Sequence, residues 1–173
     1  MKTFTIKHAH FFSGIGGGAK GFNEARPDIG TARARYECLG GIDVDAGAIR
    51  DFSRLAGVPG TVLDLFDRDQ YRSFHGHEPP GDWREACRAD IHRAFRAERP
   101  DVVFLSAPCK GFSGLMAESK SRTDKYQALN RLTLRGIWLS ACPARRIMMS
   151  CHGWCGRRSG SSRTSSRSAC ASS

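Results

Sequence analysis

The sequence predicts an α/β domain over roughly its first 140 residues, on three observations. Short apolar runs alternate with amphipathic stretches from Thr3 to about Ser140, the turns between them are Gly-rich, and the alternation stops after Ser140. Strand followed by helix, repeated, implies a parallel sheet with right-handed crossovers.

The first strand is expected over residues 4–12, followed by the Gly-rich turn Phe12-Ser13-Gly14-Ile15-Gly16-Gly17-Gly18 and a helix over 18–24. The second strand, 36–44, ends in Gly41-Ile42-Asp43-Val44-Asp45 and leads into a helix over 46–55, with Asp45 placed to cap it. A short strand is expected near Val62. A third helix is predicted over 83–98, because Trp83, Ala86, Cys87, Ile91, Ala94 and Phe95 recur at spacings close to three and four and form one apolar face. Residues 102–106 read as a buried strand, and 124–139 as the last helix.

At 173 residues the chain is long enough for one domain with a real core. No apolar run approaches the roughly 20 residues that span a bilayer, so no membrane partner is expected. The first residues lack the long apolar stretch of a secretory signal, which predicts a cytoplasmic protein. Seven cysteines are an odd number in a chain with no export signal, and reduced thiols are expected.

The formal charge of +10 suggests a nucleic-acid partner. Six of its arginines fall in residues 141–173, which contain no Asp or Glu, whereas residues 1–140 hold 21 basic and 17 acidic residues. This second segment, rich in Arg, Ser and Cys, is expected to be disordered. Its composition is what a GC-rich gene yields when read out of frame. The alternative is a genuine arginine/serine arm for nucleic acid. Cys151, His152 and Cys155 make a poor zinc set, since a structural site normally shows two ligand pairs at defined spacing. His75 and His77 read as a solvated loop for the same reason.

Three segments carry chemistry. Glycines in the first turn let the backbone approach a ligand, and the start of the next helix offers free N–H groups, which implies a nucleoside cofactor; a structural turn or a dinucleotide site stays open on these residues alone. A carboxylate at Asp43 can accept hydrogen bonds from both ribose hydroxyls, and Asp64-Leu65 could contact an adenine edge and face, with a surface loop as the alternative. The strand at 102–106 ends in Ala107-Pro108-Cys109-Lys110-Gly111-Phe112-Ser113, presenting a thiol at the carboxyl edge of the sheet. A thiolate there suits attack on an electron-poor carbon.

In this order the three segments resemble the DNA cytosine carbon-5 methyltransferases, over about residues 5–139. The resemblance implies a Rossmann-like S-adenosylmethionine-dependent fold, truncated after about the fourth strand and its following helix. It implies S-adenosyl-L-methionine as cofactor, held by Phe12, Ser13, Gly14, Ile15, Gly16, Gly18, Asp43, Asp64, Leu65 and Pro108, with Cys109 as the nucleophile on a flipped cytosine. Double-stranded DNA would be the partner, with a restriction endonuclease as a possible companion. His10 stands where many family members have Asp, and the Glu-Asn-Val-type motif that follows the Pro-Cys loop in the family is missing after Leu139. The expectation is therefore a partial catalytic domain at 1–140, an altered tail at 141–173, and an inactive fragment. A tRNA cytosine methyltransferase relative and a non-catalytic basic nucleic-acid-binding protein are the alternatives.

Overall fold

A computed structural model of the chain describes residues 2–108 and 123–141. The expected nucleophile Cys109 and the basic tail lie outside the described residues.

The elements are β1 (Lys2–Phe11), α1 (Gly17–Glu24), β2 (Asp28–Ile29), β3 (Ala32–Asp43), α2 (Ala46–Ala56), β4 (Gly60–Val62), α3 (Arg68–His75), α4 (Arg88–Ala94), β5 (Val102–Leu105) and, last, α5 (Asp124–Ser140). The fold is mixed α/β with a mainly parallel sheet. The four parallel strands run β4-β3-β1-β5, and the two-residue β2 pairs antiparallel with the start of β3. The chain thus steps outward from β1 to β3 and β4, then returns to the opposite side of β1 for β5.

Alternation along β1 divides the core in two. Ala9 and Phe11 face a large cluster with Leu39, Ile42, Leu65, Ile91, Phe95, Ala128, Leu132 and Leu139, on the side covered by α3, α4 and α5. His8 and His10 face the other side, where Ala19 of α1, Cys38 of β3 and Phe52 and Ala56 of α2 pack. Successive side chains of a strand point to opposite faces, so the His-x-His spacing puts both imidazoles on one side.

Phe52 is fully buried in a slot made by three glycines. A Cβ on Gly16 or Gly60 would come within 3.0 Å of its ring, and one on Gly41 within 2.5 Å. Gly16 also adopts φ 92, in the left-handed region that favours glycine. It serves the fold twice, in the turn before α1 and beneath the Phe52 ring.

Two expectations are corrected. The helix expected at 83–98 is confined to Arg88–Ala94. Asp90 accepts from the backbone N–H of Cys87 at 3.0 Å and binds both terminal nitrogens of Arg84 at 2.6 Å, which starts the helix late. Arg96 and Ala97, both at φ 59, end it early. Ala86, Ile91 and Phe95 are still buried, so the apolar spacing reported burial rather than a continuous helix. Residues 68–75, where no element is expected from the sequence, form α3, started by a capping box in which Asp67 and Gln70 satisfy each other's backbone N–H groups.

Arg135 of α5 fastens the chain between β4 and α4. Its guanidinium donates to Leu65 O at 3.3 Å, Ala86 O at 3.1 Å and the Glu85 carboxylate at 2.6 Å. Among the described residues no helix is long and apolar enough to cross a membrane.

Candidate functional site

The carboxyl ends of the four parallel strands converge on one cavity of about 300 Å³. Phe12 enters it after β1, Asp43 and Val44 at the end of β3, Leu63 to Phe66 after β4, and Ser106 and Pro108 after β5. Phe74 and His75 of α3 and Leu129 and Leu132 of α5 close it from the side. In open α/β sheets, ligands sit outside the strand carboxyl ends where the strand order reverses, and this cavity occupies that position. Its size falls at the lower end of the ~300–1,000 Å³ usual for small-molecule sites. A larger depression of about 600 Å³ beside α3 is lined by polar groups such as Asp69, Arg72 and Glu78, and lies away from these strand ends.

The loop after β1 is built from backbone bonds. Ser13 N donates to Ile42 O at 3.0 Å, extending the β1–β3 pairing, and Gly16 N donates to Ser13 O at 3.1 Å. Phe12 at φ 54 and Gly14 at φ 51 turn the chain sharply between them. The Asp43 carboxylate locks this turn to β3, since Oδ2 accepts from Gly14 N at 2.8 Å and Oδ1 from Asp45 N at 3.1 Å. Each oxygen keeps a lone-pair direction for another donor. Asp45 caps α2 by accepting from Ala48 N at 2.9 Å, as its position in the sequence predicts.

Asp64 is fixed in the same way. Oδ1 accepts from Phe66 N at 2.9 Å and Oδ2 from the indole N–H of Trp83 at 3.1 Å. Leu65, expected at an adenine face, is 3% exposed and belongs to the core cluster as well as to the cavity wall.

Of the expected residues, Phe12, Asp43, Asp64, Leu65 and Pro108 meet at the cavity. Ser13, Gly14, Ile15, Gly16 and Gly18 form its neighbouring loop and helix start without lining it. Ile15 is exposed, and Gly16 is buried against Phe52. The Ser13 hydroxyl is buried and has no hydrogen-bond partner among the described residues. A Cβ at Gly14 or Gly17 would meet nothing within 4 Å, so open space lies over the turn. The α1 N-terminus has no side-chain cap. The buried Ser13 hydroxyl, the open space above Gly14 and Gly17 and the uncapped N–H groups of α1 lie along this one turn, and free helix-start N–H groups can receive a polar or anionic group.

Phe66 and Phe74 were not expected at the site; Trp83, expected on a helix face, lies before α4, and His75, expected in a solvated loop, ends α3 at the cavity wall. The Asp67-x-x-Gln70 box was a readable signal for α3 and hence for Phe74 and His75. Nothing in the sequence ties Trp83 to Asp64. His10, at the position of interest in the first strand, turns away from the cavity. It is 2% exposed, and burial pushes its imidazole down to about 4; the His8 imidazole is lowered by the same cause.

No model of a known protein family matches this chain, and no curated protein matches it.

Proposed function

We propose that the strand-end cavity binds S-adenosylmethionine, and that the chain is the cofactor-binding part of a DNA cytosine carbon-5 methyltransferase with a Rossmann-like sheet. The observation that carries the reading is Asp43, whose carboxylate ties the glycine turn to β3 at the cavity wall with acceptor capacity to spare. The parallel order β4-β3-β1-β5 supports it, because the reversal beside β1 opens a crevice at that point.

The residues present fit the cofactor. Asp43 would accept from both ribose hydroxyls, Asp64 would accept from the adenine amino group, and the apolar walls contributed by Leu63, Phe66 and Leu132 would exclude water. The Ser13 hydroxyl and the start of α1 suit the carboxylate of the methionine moiety. When bound, the cofactor supplies an electrophilic methyl group on a sulfonium centre. Cys109, covalently next to the cavity-lining Pro108, would add its thiolate to carbon-6 of a cytosine swung out of the duplex, which raises electron density at carbon-5.

Calorimetric titration with S-adenosylmethionine and with NAD tests the cofactor. Asp43→Ala is expected to weaken S-adenosylmethionine binding at least about tenfold, equivalent to about 1.4 kcal/mol. Asp45→Ala lowers stability through its cap and leaves affinity unchanged. Unchanged binding in Asp43→Ala, or equal affinity for NAD, refutes the assignment. Because the motif that follows the Pro-Cys loop in the family is missing after Leu139, no methyl incorporation into DNA is expected from this chain; any covalent adduct with duplex DNA containing 5-fluorocytosine should be lost in Cys109→Ser, and an adduct surviving that substitution rules the nucleophile out.

A further inference from the structure

Beneath the glycine turn, on the side of the sheet away from the cavity, His8 and His10 lie next to Cys38 of β3, the residue that pairs with His8 in the strand register. One ring nitrogen of each histidine and the Cys38 sulfur lie within 4.8 Å of one another, and all three residues are buried. His8 Nδ1 and His10 Nε2 are 2.8 Å apart.

Hydrogen bonding around His8 selects its tautomer. Asn23 donates its side-chain N–H to Ala56 O at 2.9 Å, which turns its Oδ1 toward His8 Nε2 at 3.0 Å. His8 Nε2 therefore carries the hydrogen, and the Nδ1 lone pair points inward at His10. Metal-binding histidines are commonly arranged so, with the outer N–H held by a carbonyl or carboxylate while the inner nitrogen faces the ion. Phe22 stacks on the His8 ring with centroids 5.0 Å apart, and Phe104 and Phe52 flank His10 at 5.4 and 6.3 Å, so aromatic rings pack around both imidazoles, while Cys38 borders a polar depression with Asn23 and Arg96.

We propose that His8, His10 and Cys38 form a buried site for a soft monovalent d10 metal ion of the Cu(I) class. Charge decides the ion. Two neutral imidazoles and one thiolate hold a monovalent cation with zero net charge, whereas a divalent ion leaves a net positive charge on three buried ligands. Coordination number agrees. The described residues supply three ligands, and soft thiolate and imidazole donors suit Cu(I), while structural zinc is almost always four-coordinate.

On binding, the Cys38 S–H bond breaks, its proton leaves to solvent, and the metal–sulfur bond forms. His10, whose Nε2–H bonds to His8 in the free protein, moves that proton to Nδ1 and turns its lone pair inward. Metal–nitrogen bonds near ~2.0 Å at trigonal angles need the two nitrogens to separate by roughly 0.6 Å beyond the present contact.

The test uses the full chain with Cys87, Cys109, Cys142, Cys151, Cys155 and Cys170 replaced by Ser, so that Cys38 is the remaining thiol. The reduced protein is titrated anaerobically with Cu(I) against bicinchoninate. One equivalent is expected to be retained, with an X-ray absorption spectrum showing two nitrogen ligands and one sulfur and with a raised melting temperature. Asn23→Ala, in the same background, is expected to weaken retention by about 10- to 100-fold. Cys38→Ser, checked for folding by circular dichroism, is expected to abolish it. No retained copper, retention unaffected by Cys38→Ser, a spectrum without nitrogen ligands, or tighter binding of Zn(II) would each overturn the proposal. Retention depends on neither S-adenosylmethionine nor DNA, so its failure is separate from failure of the cofactor reading.

Discussion

Adding one methyl group at Gly41 tests the slot that seats Phe52. A Cβ there would stand 2.5 Å from both Cε2 and Cζ of the ring, against the ~3.5–4.0 Å of a comfortable carbon contact, so about 1 Å of movement is required. The ring has nowhere to go, being fully buried and already close to Gly16 and Gly60. Overpacking of this kind costs about 1–3 kcal/mol, and the upper half of that range is expected here. Phe52→Ala by itself should cost about 3–5 kcal/mol. With the ring gone, Gly41→Ala should be neutral or stabilise by up to about 1 kcal/mol, because alanine narrows the unfolded ensemble and Gly41 does not need a left-handed φ. Urea unfolding followed by far-ultraviolet circular dichroism measures all four corners of the cycle. A sign reversal between backgrounds is the expected result, and equal losses in both would refute the clash as the cause.

Trp83→Phe retains an aromatic ring beside Tyr71 but removes the N–H that holds Asp64; S-adenosylmethionine affinity should fall about five- to tenfold in calorimetry, for a bond worth about 1–1.4 kcal/mol. The Arg84 guanidinium holds the Asp90 carboxyl well below its ordinary 3.8. A folded-state value below the unfolded one means stability present above about pH 4 and lost as pH falls through the folded value, so Asp90→Asn should cost about 1.5–3 kcal/mol at pH 7 and progressively less in acid denaturant titrations. Leu134 and Ile137 of α5 are exposed one turn apart, and β5 pairs on one edge only among the described residues. Leu134→Lys with Ile137→Glu should therefore reduce self-association measured by light scattering.

The four parallel strands and three of the helices were legible because each rests on a local pattern. β1, β3 and β5 contain apolar runs, and α2 follows Asp45, whose cap bond was readable from position alone. The short β2 was not expected, and the strand expected to be buried at 102–106 leaves Phe104 40% exposed, because β5 is paired only with β1 among the described residues. The third helix was misjudged because apolar spacing from Trp83 to Phe95 records which side chains are buried, while helix limits were set by Asp90 binding Arg84 and by two left-handed residues. Of the candidate site, Asp43 and Asp64 were legible as carboxylates at strand ends. Their fixing partners, Gly14 N–H and the Trp83 indole, were not, since those bonds join residues 29 and 19 positions apart.

By itself, then, the sequence determined the α/β character, the glycine turn and the chemical types at each strand end, because these depend on neighbours along the chain. Tertiary structure decided that four strand ends share one cavity, that Gly16 and Gly41 make room for Phe52, and that His8, His10 and Cys38 meet behind the turn. The physical reason is strand pairing. It brings residues about 30 positions apart, such as His8 and Cys38, into adjacent register, a proximity that no local spacing encodes.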